Sequence, residues 1–252
     1  MIQLKSAREI DTMARAGRIL AATHDVVQAA IRPGISTQEL DELAEKFIRS
    51  HDGAVPAFKG LYGFPGAICL SINQEIVHGI PSPKRILKEG DILSVDIGVK
   101  HDGMYADAAK THPVGRITPE HQRLLDVTKA SLEAGISAAV LGNHIGDIGY
   151  AVQTVVEAAG FSVVRELVGH GVGFVLHEEI QVPNFGKPKR GTKLLAGMTL
   201  AIEPMVNIGT AAIRTLSDKW TIVSADAKWS AHFEHTVAVT ADGPRILTNH
   251  DS

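Results

Sequence analysis

Apolar residues recur at helical spacing in two stretches near the start of the chain. Ser6-x-x-Glu9 is a capping box, a pair that satisfies the orphan N–H groups of a helix start. After it, Ile10, Met13, Ala14, Gly17, Leu20, Ala21, His24, Val27 and Ile31 fall on one helical face, and Pro33-Gly34 stops the run. Ser36-x-x-Glu39 opens a second helix with Leu40, Leu43, Ala44 and Phe47 as its apolar stripe and Gly53 as its end. A Gly/Pro-rich stretch covers residues 56–66, and strand-like segments follow at 67–72, 91–99 and 104–114. Thr118-Pro119 then predicts a helix with Thr as cap and Pro in the first turn, running to about residue 142. Asp147 is predicted to cap a fourth helix carrying Ile148, Ala151, Val152, Val155 and Val156, stopped by Gly160. Strand-like segments return at 161–164, 200–203, 220–223 and 233–240.

Helix, helix, strands therefore occurs twice, which predicts two similar half-domains although no close sequence repeat links them. Strands segregated from helices predict an α+β class rather than alternating βαβ units. Nothing resembles a flexible linker, so a single domain spanning 1–252 is expected. Apolar residues make up 44% of the 252 positions and charged residues 21%, which excludes disorder. A net charge of −3 without any Lys/Arg run argues against nucleic acid as a partner. The single cysteine, Cys69, excludes an internal disulfide and fits a reducing compartment. Lys5, Arg8 and Glu9 interrupt the start before a signal-peptide core can form, and no apolar run approaches the roughly 20 residues of a membrane span. No membrane contact is expected, and the cytoplasm is the predicted address.

The chemistry lies in three clusters. Asp96 and Asp107 each sit among apolar neighbours in a strand-like segment, joined by the turn-like Lys100-His101-Asp102-Gly103. They are eleven residues apart, so any hairpin loop of even length puts them on one sheet face, opposite or diagonal. Two carboxylates that close cannot both stay ionised unless something positive sits between them, and a metal ion is the simplest answer. The bland alternative, two solvated aspartates on an exposed face, is about equally good for this pair alone. Glu203 and Glu234 each emerge from a further apolar segment. Solvation explains one such residue readily and four in four segments poorly.

The third cluster is Gly169-His170-Gly171-Val172-Gly173 with His177-Glu178-Glu179. Glycines beside His170 let the backbone approach a bound group. The run lacks the third glycine and following helix of a dinucleotide fingerprint, and His177-Glu178 has no second histidine at zincin spacing. His78, between Val77 and Gly79-Ile80-Pro81, reads on its own as a structural histidine, as most of the 12 histidines must be. Asp96, Asp107, His170, Glu203 and Glu234 form an oxygen-dominated set that suits two divalent ions about 3.5–4 Å apart. Spacing alone leaves hydrolytic, phosphoryl-transfer and structural metal sites all open.

Taken together, these segments resemble the type I methionine aminopeptidases. The resemblance is carried by Ser71-Ile72-Asn73, Val77 to Pro81, Asp91 to Gly98, Asp107, Gly169 to Gly173, His177 to Glu179 and Pro183 to Gly186. It continues through Met198 to Pro204, Thr215 to Trp220 and Phe233 to Val237, in family order over nearly the whole chain. It implies the pita-bread fold, an α+β arrangement of two pseudo-symmetric halves with a curved antiparallel sheet covered by helices. It also implies a metal-dependent aminopeptidase that removes the initiator methionine from nascent proteins when the second residue is small. The implied cofactors are two divalent ions (Co, Mn, Fe or Zn). The implied metal ligands are Asp96, Asp107, His170, Glu203 and Glu234, with Asp107 and Glu234 bridging, Asp96 on one ion, and His170 and Glu203 on the other. Glu203 would be the general base on a metal-activated water. His177 would contact the peptide and stabilise developing charge, and His78 would position substrate or shuttle a proton. Cys69, Tyr62, Phe64 and Trp220 would line the methionine pocket, where ordinary core packing is the plainer account of each. The expected state is a monomer working near the ribosome on nascent N-termini.

Phe174 stands where the family commonly has Arg, and Ile180 where it has Pro; Leu61 and Leu176 replace aromatic residues near the pocket. No ligand position is lost, so these departures bear on pocket shape. Proline-specific enzymes of the same fold usually carry a separate N-terminal domain, for which no residues remain here. A peptide-binding module without activity would be expected to have lost ligands.

Overall fold

The computed structural model describes residues 2–251; Met1 and Ser252, the ends of the 1–252 span, lie outside the described residues. Both capping boxes form. The Ser6 hydroxyl accepts from the Glu9 N–H at 3.4 Å while the Glu9 carboxylate accepts from the Ser6 N–H at 2.7 Å, opening α1 (Ala7–Ala30). Ser36 and Glu39 open α2 (Thr37–Arg49) in the same way. The first half continues with β1 (Val55–Pro56), β2 (Cys69–Ile72), β3 (Glu75–Val77), β4 (Ile92–His101) and β5 (Met104–Pro113).

The second half opens with α3 (Pro119–Ala138), capped by Thr118 as predicted. It ends before the predicted 142, because the Gly142 N–H is taken by the Leu194 carbonyl at 3.1 Å. In α4 (Ile145–Ala158) the N-cap is His144, not Asp147. Asp147 sits in the first turn and reaches back, accepting from the His144 N–H at 2.7 Å. Then come β6 (Ser162–Val163), β7 (Gly169–Gly171), β8 (Glu178–Val182), β9 (Thr199–Ile202), β10 (Met205–Asn207), β11 (Ile213–Thr215), β12 (Ile222–Ser224), β13 (Ser230–His232), β14 (His235–Thr240) and β15 (Gly243–Ile246). No helix among the described residues is long and apolar enough to cross a membrane.

In the first half β4 is central, with β5 along one edge and β2 and β1 along the other, all antiparallel. The hairpin turns on two residues, Asp102 and Gly103, inside the paired His101 and Met104. Both have positive φ (49° and 79°), as a two-residue turn matched to strand twist requires. Leu93, Val95, Ile97 and Val99 of β4, with Ala106 and Ala108 of β5, bury one sheet face against Leu20, Val27, Leu40 and Ile48 of the two helices. The second half repeats the plan. Its sheet runs β15-β14-β9-β7-β8, and Leu200, Ile202, Val237 and Val239 pack against Leu132, Ile136 and Ile148 of α3 and α4.

The other face of β4 and β5, carrying Ser94, Asp96, Asp107 and Thr111, turns toward the second half. There the Thr236 hydroxyl accepts from the Asp107 N–H at 2.9 Å and donates to the Asp107 carbonyl at 2.8 Å. The Glu234 N–H donates to the Ala109 carbonyl at 2.9 Å. The chain ends add a second clasp. A Cβ on Gly17 would stand 1.7 Å from the Leu247 carbonyl oxygen, so α1 can lie there only as glycine. The Lys5 N–H bonds to the Gly197 carbonyl at 2.7 Å.

Two buried histidines flank β5 away from the polar face. His24 Nε2 meets the Ala108 carbonyl at 3.1 Å, and its ring centroid lies 6.4 Å from that of His112. Burial pushes His24 well below its usual value and His112 down to about 4, from an ordinary 6.5. As pH falls from 6.5 toward 4 the unfolded chain takes up protons that the folded chain refuses. Stability is therefore expected to fall through that window, by on the order of 3 kcal/mol from His112, with His24 acting in the same direction. Urea midpoints measured between pH 7.5 and 4.5 check this. A His24→Gln/His112→Gln protein should show a flatter slope, and an unchanged slope would remove these histidines from the account.

Candidate metal centre

The β4–β5 register pairs Asp96 with Ala109 and Asp107 with Gly98, so the two aspartates are diagonal neighbours on one face. The two glutamates lie just outside the strands in which the sequence placed them. Glu203 follows β9 and precedes Pro204, which has no N–H for a ladder. Glu234 lies between β13 and β14, its N–H turned across to β5 instead of along its own sheet. His170 is the middle of β7. A Cβ on Gly169 would lie 2.3 Å from the Ala201 carbonyl oxygen, so the glycine lets β7 and its histidine pack close to β9.

His170 Nδ1 lies 2.9 Å from the Gly171 carbonyl, which can only accept. Nδ1 therefore carries the proton, and Nε2 keeps its lone pair for the cleft. That nitrogen stands 3.8 Å from Asp107 Oδ2 and 3.6 Å from Glu203 Oε1. Asp107, His170 and Glu234 each offer a ligand atom, all within 4.8 Å of one another.

The electrostatics match this geometry. Burial pushes Asp96 and Glu203 up to about 7. It drives Asp107 and Glu234 well above the carboxylate range, with their like-charged neighbours adding to the rise. Asp96 Oδ1, Asp107 Oδ1 and Glu234 Oε1 are buried and make no hydrogen bond. A buried acceptor in that condition costs about 1–3 kcal/mol. Four crowded carboxyls, three of them with orphaned oxygens, and one imidazole lone pair fit divalent cations, which answer the charge and the missing partners together.

Above these residues opens a cavity of about 420 Å³. One wall is an apolar cluster of Phe58, Phe64, Cys69 and Leu176, with Leu61 and Trp220 packed against it. Phe64 meets Trp220 edge-on at 5.2 Å, and Trp220 meets His78 edge-on at 6.3 Å. Burial raises the Cys69 thiol far above its normal value, making it a wall and not a nucleophile. His78 has φ 60°, and a Cβ on the following Gly79 would stand 2.2 Å from the Leu70 carbonyl oxygen. That close approach fixes a strained histidine at the cavity. Burial lowers His78 to about 4 and lowers His177 as well, so both are neutral.

Tyr62 lines the cavity, as the resemblance implied, but at its rim and outside the apolar wall. It is 78% exposed, with φ 51°, and stacks on His177 at the cavity rim with a centroid distance of 6.2 Å. Phe174 lies outside the apolar wall, over the Lys5 ammonium at 5.3 Å, and lines a neighbouring groove with Ile2, Gln3 and Val175. The fully buried Lys5 ammonium pairs at 2.5 Å with Glu178, next to His177, and Glu178 also accepts from the Phe174 N–H at 3.1 Å. Among the cavity residues given no role by the sequence, two stand out. Phe58 preceded any recognisable motif. His232 alternates with Glu234, and that spacing was the available signal.

A frame of two similar halves, with buried metal-ready carboxyls at their junction and neutral histidines over them, defines a metal-dependent hydrolase. Residues 11–241 match metallopeptidase family M24. The chain is 52% identical over 248 residues to the methionine aminopeptidase of Clostridium perfringens, covering 98% of this chain and 99% of that one. It is 53% identical over 248 residues to methionine aminopeptidase 1 of Bacillus subtilis, with the same coverage. The methionine aminopeptidase structure from Thermotoga maritima superposes with a TM-score of 0.97 at 42% identity, covering 99% of this chain and 100% of that one. The chain belongs to metallopeptidase family M24 and, within it, to the methionine aminopeptidases. Its fold is accordingly the pita-bread fold that the motifs implied.

Proposed function

We propose that this chain hydrolyses the N-terminal methionine from newly made proteins whose second residue is small, with two divalent ions at the junction of its halves. The observation that carries this reading is the buried set of Asp107, His170 and Glu234, with orphaned carboxylate oxygens, opening onto an apolar wall. Asp96, Asp107, His170, Glu203 and Glu234 would hold the ions. Cobalt, manganese, iron and zinc all suit such a set, and availability decides among them. When bound, such ions would supply a water of lowered pKa and polarise the scissile carbonyl.

The remaining steps belong to side chains. Glu203, held near 7, is poised to take the proton of the attacking water. His177, neutral and beside His170 at 4.4 Å between ring centroids, donates toward the carbonyl oxygen as its charge grows. His78, neutral and braced by Trp220, orients the peptide or relays the proton to the leaving amine. Phe64, Cys69 and Trp220 receive the methionine side chain, and Tyr62 guards the rim. The partners are nascent N-termini, met by a cytoplasmic monomer near the ribosome; neither nucleic acid nor membrane enters the reading.

The test is methionine release from Met-Ala-Ser and Met-Lys-Ser, with chelated enzyme and with manganese or cobalt restored. Metal-dependent cleavage of the first peptide and not the second is expected. No cleavage by folded protein under any of these metals would favour a peptide-binding module.

A further inference from the structure

His232 sits at the floor of the cavity and has no part in the reading above. Its backbone is fixed from the opposite half. The His232 N–H donates to Thr111 Oγ1 at 2.9 Å, and the His232 carbonyl accepts from that hydroxyl at 2.8 Å. With its proton so committed, Thr111 Oγ1 accepts from the Ser94 hydroxyl at 2.8 Å. Strands β4 and β5 thus set where the imidazole lies. The ring is fully enclosed, and neither nitrogen has a hydrogen-bond partner. A neutral imidazole carries one donor and one acceptor, so leaving both unused inside a protein calls for an explanation.

The neighbours supply one. His232 Nε2 lies 3.6 Å from Glu203 Oε2 and 3.9 Å from Glu234 Oε2. Glu203 is thereby bracketed, because its other oxygen stands 3.6 Å from His170 Nε2. The compact cluster of Asp107, His170 and Glu234 does not include His232. Side-chain rotations of roughly 1 Å would bring either glutamate to hydrogen-bonding length. We infer that His232 is a positioning residue for the metal centre. Its Nε2–H donates to the Glu203 and Glu234 carboxylates and holds each in the rotamer that turns its free lone pairs into the cleft. Partners of this outer kind orient metal ligands and sharpen affinity.

This inference rests on the metal-binding reading, so its test separates the two. Chelator-stripped wild type, His232→Ala and His232→Gln are titrated with Mn²⁺ by calorimetry. The visible spectra of their Co²⁺ forms, their thermal midpoints, and kcat and KM on Met-Ala-Ser are also measured. His232→Ala is expected to bind Mn²⁺ roughly 10–100-fold more weakly, with kcat reduced and KM little changed. His232→Gln keeps an N–H donor and should recover most of both, with a wild-type Co²⁺ spectrum. Wild-type Mn²⁺ affinity in His232→Ala would overturn the proposal. So would a His232→Gln protein as impaired as the alanine variant with an altered Co²⁺ spectrum, which would make His232 a direct ligand. If His232→Ala fails to fold, the glutamine variant alone decides between these outcomes. If wild type itself binds no Mn²⁺, the metal reading fails and this one falls with it.

Discussion

Asp107→Asn is expected to abolish turnover and, at the same time, to make the metal-free protein harder to unfold. Asp107 is buried among Asp96 and Glu203, and its carboxyl is held well above the ordinary 3.8. The folded chain therefore keeps a proton that the unfolded chain releases. The sign follows: stability contributed at low pH is lost as pH rises from 3.8 toward the raised value, so at pH 7 the metal-free fold carries a penalty. Asparagine has no charge to bury and removes it. The Asp107 backbone bonds to Thr236 do not depend on the side chain, so the junction of the halves survives. Tm should therefore rise, by about 2–4 °C for each kcal/mol gained in a chain of this size. Activity should fall by more than the roughly 10–100-fold typical of an outer partner, since on the proposed reading Asp107 would hold the metal directly. Adding Mn²⁺ should raise the Tm of wild type and leave the variant nearly unmoved. Equal metal stabilisation of both proteins would remove Asp107 from the site.

His177→Ala is expected to cost about 100–1000-fold in kcat, the scale of losing one donor to a developing oxyanion. Metal uptake should be unchanged, because His177 meets His170 ring to ring and is not one of the five proposed ligands. KM should change little if the bond forms mainly in the transition state. Calorimetric Mn²⁺ binding alongside steady-state kinetics checks both halves of the claim. Parallel losses of affinity and rate would instead assign His177 to the metal.

The parts legible in the sequence were those encoded locally. Ser6-x-x-Glu9, Ser36-x-x-Glu39 and Thr118-Pro119 each set a helix start within four residues, and each formed. Asp96 and Asp107 could be placed on one face because Asp102-Gly103 closes the hairpin and alternation does the rest. Glu203 and Glu234 were found as residues, but their exit from the strands was not, because it depends on Pro204 and on the Ala109 carbonyl of the other half. Short strands such as β3, which pairs with β12 across the halves, carry too few residues for a period to show. Tyr62 illustrates the same limit at a side chain. The resemblance implied a place lining the pocket, and the cavity does include Tyr62, but its rim position depends on a left-handed backbone that the sequence did not show. His232 was one of 12 histidines, and only the arrangement around it distinguishes it from the rest.

The clasp between the two chain ends has a consequence for how the molecule comes into being. Lys5 closes on Gly197 and Gly17 closes on Leu247, while Asp96 and Asp107 wait for Glu203 and Glu234. During synthesis the first helix emerges early, with its apolar face turned toward strands not yet made. Such long-range closure makes for slow, late completion. A growing copy cannot assemble its own centre until Glu234, close to the end of the chain, has left the ribosome.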